Sequence, residues 1–248
     1  MVNHLDKIMN TSAAEFFKEH GWVKLEKVID KDMATFCYNY VKFECTRLTL
    51  LDEQLGYGNY DKEVWGTFTD KQAPGDFSKY GDMFFDTLMI LITNKIEHAC
   101  GLKLTPTYSY HRLYTKGTEL TRQKDRPSCE ISTTMCLGYD NENLKEKNWN
   151  WPMFVGPKDG DIGTPGAAVH LSPGALIIYR GCEVEHWREP LPANNHAQVF
   201  LHYNEREGKN NITYDKRPFI GLPKDIFTLK KKYTLEHDKK KTDKIVYD

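Results

Sequence analysis

The second half of the chain is interrupted too often by turn residues to be helical. Beyond Leu104, runs rich in Val, Ile, Tyr, Thr and Phe cover Thr107 to Tyr114, Glu130 to Gly138, Ala168 to Leu171, Leu176 to Arg180, Val184 to Arg188 and Ala197 to Tyr203, with clusters of Gly, Pro and Asn between them. β-Branched and aromatic side chains suit a pleated, half-buried surface, whereas Gly, Pro and Asn end one. Short strands at close spacing predict an antiparallel sandwich or barrel.

The first hundred residues read as mainly helical. Thr11 and Ser12 are N-cap residues for a helix from Ala13 to His20 that Gly21 stops. A short strand follows at Trp22 to Val28, then a helix from about Lys31 to Leu48. Residues 52–80, rich in Gly, Tyr and Asp, read as irregular. A helix from about Met83 to Ala99 carries Phe84, Leu88, Ile92 and Ile96 at a four-residue repeat before Gly101. The reading is a mostly β fold with flanking helices, a single domain over residues 1–223 in which 1–103 supports a β core at 104–223. The tail at 224–248, with eight Lys against five Asp+Glu, reads as a solvated or fraying end.

Composition narrows the function classes. The 248 residues carry 34 Lys+Arg against 35 Asp+Glu, and a net charge of -1 argues against a nucleic-acid binder, which needs a basic excess. Six scattered cysteines form no C-x-x-C pair, so neither a zinc knuckle nor a disulfide framework is indicated. No apolar run reads as a membrane span or signal peptide. A reduced, cytoplasmic protein without membrane or nucleic-acid partners is expected; the oligomeric state is not legible.

One constellation carries chemistry: Tyr114-x-x-Gly117-x-x-Leu120-x-x-Gln123-x-Asp125 and, far along the chain, Glu185-His186-Trp187-Arg188-Glu189-Pro190. On a strand, Gln123 and Asp125 share a face. A histidine from a remote strand would close a three-point facial site with open positions on a hard-to-borderline metal, as oxygen-activating iron chemistry requires. Taken alone, Asp125 reads equally as a turn cap and His186 as a satisfied core histidine. Strand parity adds a polar face, His196, Gln198, Phe200 and His202, opposite an apolar one, Ala197, Val199, Leu201 and Tyr203; the polar face is either solvated or lines a cavity. The segment Trp149-Asn150-Trp151-Pro152 and the residues up to Gly166 read as a long loop over its mouth.

The runs Tyr108 to Gly138 and Pro173 to Tyr203 resemble the two halves of the Fe(II)/2-oxoglutarate-dependent dioxygenase core, nearest the prolyl 4-hydroxylase type. The resemblance implies a double-stranded β-helix, or jelly roll, supported by N-terminal helices. It also implies Fe(II) and 2-oxoglutarate as cofactors, and hydroxylation of a C–H bond on a small-molecule or peptidyl substrate with release of succinate and CO2. Asp125 matches the metal carboxylate, His186 the distal metal histidine, and Tyr114 a position whose hydroxyl touches 2-oxoglutarate.

Two departures stand against the matches. Gln123 occupies the place of the first metal histidine; its amide oxygen is a weaker donor for iron than an imidazole nitrogen, so the site is weakened, completed by another histidine (His111, His170 or His202), or lost. The basic anchor for the far carboxylate of 2-oxoglutarate is replaced by His196, a poor substitute for a guanidinium. Arg188, two residues beyond His186 and on the same strand face, offers an alternative anchor, unless it pairs at the surface with Glu185 or Glu189. Arg112, Arg122 and Arg180 read as solvated. The rival functional readings are an inactive jelly-roll binding protein and a binder of sugars or another polar ligand.

Overall fold

The structure is a computed structural model that describes residues 12–56, 60–145 and 151–222. The Lys-rich tail, Thr11, Trp149 and Asn150 lie outside them. Ten described strands form two antiparallel sheets. The larger has the order β1 (Trp22–Leu25), β8 (Leu176–Arg180), β5 (Ile131–Asp140), β10 (Asn195–Glu205), β3 (Leu104–Thr115), β2 (Phe77–Tyr80); the smaller runs β4 (Leu120–Gln123), β9 (His186–Arg188), β6 (Met153–Val155), β7 (Ala167–Val169). This is the expected two-sheet jelly roll.

Alternation along the strands explains how the larger sheet is buried on both faces. Leu176 and Ile178 of β8 and Ala197, Val199, Leu201 and Tyr203 of β10 join the core beneath the helices. Ile177 and Tyr179 point the other way and pack with Met153, Val155 and Val169 of the smaller sheet. Because side chains alternate with period two, one strand can serve both layers.

The helices sit where their caps and apolar stripes dictate. In α1 (Ala13–His20) Ser12 and Glu15 form a reciprocal capping box, and Gly21, at φ 76°, closes the helix with its amide on the Phe17 carbonyl. In α2 (Lys31–Leu55) the buried positions Ala34, Cys37, Val41, Glu44 and Leu48 follow the three-and-four spacing of one helical face. This helix runs past the Leu48 read from sequence, since no breaker occurs before Gly56. The stretch read as irregular holds α3 (Lys62–Trp65) and β2, the latter imposed by pairing with β3, a long-range contact that local composition does not encode. No described helix is long and apolar enough to cross a membrane.

Asp86, on the buried face of α4 (Met83–Cys100), ties the helix to the sheet and to the segment after β10. Its carboxylate accepts hydrogen bonds from the amides of Ser109 (2.8 Å) and Gly221 (2.7 Å) and pairs with Arg217 at 2.9 Å, both side chains being wholly buried. Breaking such a pair from one side leaves an uncompensated interior charge, at a cost of about 3–5 kcal/mol. Asp86→Ala is therefore expected to lower the unfolding free energy, measured by urea titration, by about 3–5 kcal/mol. Adding Arg217→Leu to that variant is expected to cost less than the sum of the two single changes.

Candidate functional site

The smaller sheet supplies the site. Gln123, the last residue of β4, pairs in register with His186, the first residue of β9. Two residues later the Asp125 amide donates to the Gly181 carbonyl at 2.7 Å, which turns the chain so that the carboxylate follows Gln123 to the same side. Asp125 Oδ1 lies 3.3 Å from His186 Nε2, and Gln123 Nε2 lies 3.5 Å from the same ring nitrogen. The structure thus brings Gln123, Asp125 and His186 together.

Each of the two ionisable groups is oriented by a neighbour. The His186 Nδ1–H donates to the Val184 carbonyl at 3.1 Å, which leaves Nε2 to face Asp125. Asp125 Oδ2 accepts from the Ser132 hydroxyl at 2.8 Å, and Ser132 in turn contacts His202 Nδ1 at 2.9 Å. Burial works against both charges; the mutual attraction outweighs it, holding the Asp125 carboxyl below the usual carboxylate range and raising the His186 pKa. Burial pushes His202 down to about 4, only partly offset by Asp125, so that imidazole is neutral.

A carboxylate oxygen and an imidazole nitrogen this close, with the ring tautomer fixed by a backbone carbonyl, fit two adjacent ligand positions on a divalent cation. Among the described residues no group of three or more His, Cys, Asp or Glu converges to hold a metal ion, and the third side chain beside the pair is Gln123. The three histidines weighed as substitutes do not replace it. His111 lies on the helical side of the larger sheet with Glu44 (3.1 Å), His170 is exposed at the end of β7, and His202 reaches Asp125 only through Ser132.

These groups open into a cavity of about 480 Å³ that Arg188 also lines. Arg188 is 3% exposed, stacks 4.6 Å over Trp151, and donates to the Trp151 carbonyl and to Gln198 Oε1 (2.8 Å). Among the described residues no carboxylate pairs with it. Glu185 pairs instead with Arg122 (2.7 Å), and Glu189 is exposed. Burial lowers the Arg188 pKa to about 10, a shift the Tyr114 phenol partly opposes, so at neutral pH it remains a cation.

Tyr114, His196 and Gln198 stand outside the cavity lining. Tyr114 is fully buried, edge-on to Trp151 (5.1 Å), with its hydroxyl 3.3 Å from Arg112 Nη1. Gln198 supports Arg188 from behind. His196 is buried between Tyr139, Trp151 and Cys136, and burial followed by the nearby Arg188 charge keeps its pKa far below the ordinary value. A neutral, enclosed imidazole cannot anchor an anion, which corrects the expectation for His196. The polar face of β10 is divided: Phe200 and His202 line the cavity, whereas His196 and Gln198 lie beyond it. Trp151 is likewise buried, its indole N–H on the Glu189 carbonyl (2.7 Å), so it packs beneath the site.

Asp70 and Gln72 went unmarked in the sequence, and Arg112 reads there as solvated. Arg112 is not solvated but 5% exposed, bonded to Asp70 (2.7 Å) and Gln72 (2.8 Å) and stacked against Tyr110 and Phe200. Its strand parity with Tyr110 and Tyr114 was the available signal; its partners sit in the stretch that read as irregular.

No protein-family profile matches the sequence, and no curated protein matches it. Solved structures do match by shape. A prolyl-4-hydroxylase from Pseudomonas putida superposes with a TM-score of 0.53 at 14% identity, over 79% of this chain and 98% of that one. EctD from S. alaskensis with bound Fe gives 0.55 at 16% identity, over 86% and 85%. An oxidoreductase of the 2OG-Fe(II) oxygenase family from Burkholderia pseudomallei gives 0.50 at 15%, over 81% and 92%. On this likeness the chain has the double-stranded β-helix fold of the Fe(II)/2-oxoglutarate-dependent oxygenases.

Proposed function

We propose that the protein is an Fe(II)/2-oxoglutarate-dependent oxygenase that hydroxylates a C–H bond, consuming 2-oxoglutarate and O2 and yielding the alcohol, succinate and CO2. Asp125 and His186 would hold the iron, and Arg188 would receive the far carboxylate of 2-oxoglutarate. The observation that carries this reading is Arg188 itself, a buried cation without a carboxylate partner among the described residues, on the wall of the cavity into which Asp125 and His186 open. An unpaired interior charge costs several kcal/mol; a dianionic co-substrate would compensate it.

Ferrous iron, when bound, supplies the redox chemistry. The chain supplies the rest. Ser132 and the Val184 carbonyl fix the two ligand side chains before any ion arrives, so little reorganisation accompanies binding. The Arg188 guanidinium, clamped by Gln198, the Trp151 carbonyl and the Trp151 ring, presents its remaining donors in one orientation. The surrounding side chains Tyr179, Trp187 and Phe200 limit water around the reacting groups. Prolyl 4-hydroxylation is the nearest analogy for the substrate, drawn from the resemblance and the fold.

Succinate formation should require both added iron and 2-oxoglutarate, with or without a prime substrate, and should be abolished by Asp125→Ala. Turnover that survives the Asp125 change, or none under any iron and 2-oxoglutarate condition, would contradict the reading. Truncating one partner of a buried charge pair costs about 2–5 kcal/mol. Arg188→Ala is therefore expected to weaken 2-oxoglutarate binding, measured by calorimetry with Mn(II), by roughly 100-fold. Arg188→Lys should recover only part of that loss, because an ammonium cannot reproduce the planar fork.

A further inference from the structure

The hydrogen bonds around Gln123 decide which end of its amide faces the metal ligands. The relay starts at Arg112, whose guanidinium has donors only. Arg112 Nη2 donates to Gln72 Oε1 at 2.8 Å, and Asp70 holds the same nitrogen at 2.7 Å. With its oxygen engaged, Gln72 must point its amide nitrogen onward, and that nitrogen donates to Gln123 Oε1 at 2.8 Å. The oxygen of Gln123 is thereby turned toward Gln72, and its Nε2 toward His186 Nε2, 3.5 Å away. An amide nitrogen carries no lone pair available to a cation.

Resting on the reading that Asp125 and His186 hold a divalent cation, we propose that Gln72 is a positioning residue that keeps Gln123 out of the coordination sphere. The Asp70–Arg112–Gln72 relay makes this a site with two protein ligands. Presenting the amide oxygen to the cation would require a half-turn of the Gln123 amide and loss of its bond from Gln72. The sequence at position 123 does not reveal this, because a glutamine offers either end; the relay selects one.

Gln72→Glu reverses the relay with little change in shape. A carboxylate at 72 still accepts from Arg112 but can only accept from Gln123, so the Gln123 amide turns over and its oxygen faces the cation. The test is the affinity for Mn(II), followed by electron paramagnetic resonance, in the full-length protein and in Gln123→Ala, Gln72→Glu, the double variant and Gln123→His. The proposal requires that Gln123→Ala change the affinity by threefold or less. It also requires that Gln72→Glu tighten binding about tenfold, the scale of an added ligand or strong second-sphere partner, and that this gain vanish in the double variant, which separates reorientation from added negative charge. A loss above threefold in Gln123→Ala, no gain in Gln72→Glu, or an equal gain without Gln123 overturns the proposal while leaving the Asp125–His186 site standing. Failure of Gln123→His to bind Mn(II) overturns both.

Discussion

The site depends on one short stretch of backbone pairing. β4 is a short strand with Leu120 as its one apolar residue, and it holds its course because Leu120 and Gln123 pair with Arg188 and His186 of β9 and because the Asp125 amide is fixed to Gly181. Gly181 is required there for room: a β-carbon at that position would collide with the Cys129 carbonyl and with Asp125 Oδ2. Two residues distant in sequence are thus brought within 3.3 Å by main-chain contacts, and their side chains inherit that proximity.

Around this point charge is distributed in a way that burial makes consequential. Asp125 and His186 balance each other, Arg112 is matched by Asp70 and Arg122 by Glu185, which leaves Arg188 as the buried guanidinium of the cavity wall without a carboxylate among the described residues. In a low-dielectric interior such a charge is a standing demand for an anion. His196, close to Arg188, meets that condition by staying neutral; a second cation there would add repulsion to desolvation. The same logic applies to His202, whose neutral ring lines the cavity without competing for Asp125.

Much of the frame was legible because it is written in local signals. The Ser12–Glu15 box, Gly21 and Gly101 mark helix ends, and the alternation in β8 and β10 assigns faces whatever the partner strands are. The pairing of Asp125 with His186 came from the resemblance, since Asp125 lies beyond the end of β4, where strand parity does not reach. What escaped the sequence was non-local. β2 exists because β3 lies beside it, β4 because β9 does, and Arg112 reads as a surface residue until Asp70 and Gln72 fold over it. His196 was misjudged for a related reason: its place in the chain suggested an anchor, but its protonation is set by Tyr139, Trp151 and the neighbouring Arg188, none adjacent in sequence.

If Asp125 and His186 share one divalent cation, anomalous diffraction from crystals soaked in Mn(II) will show it. A single strong peak is expected within bonding distance of both Asp125 Oδ1 and His186 Nε2, in the cavity that Arg188 borders. A map with no peak there, or with manganese held by other side chains while this carboxylate and imidazole stay bonded to each other, would contradict it.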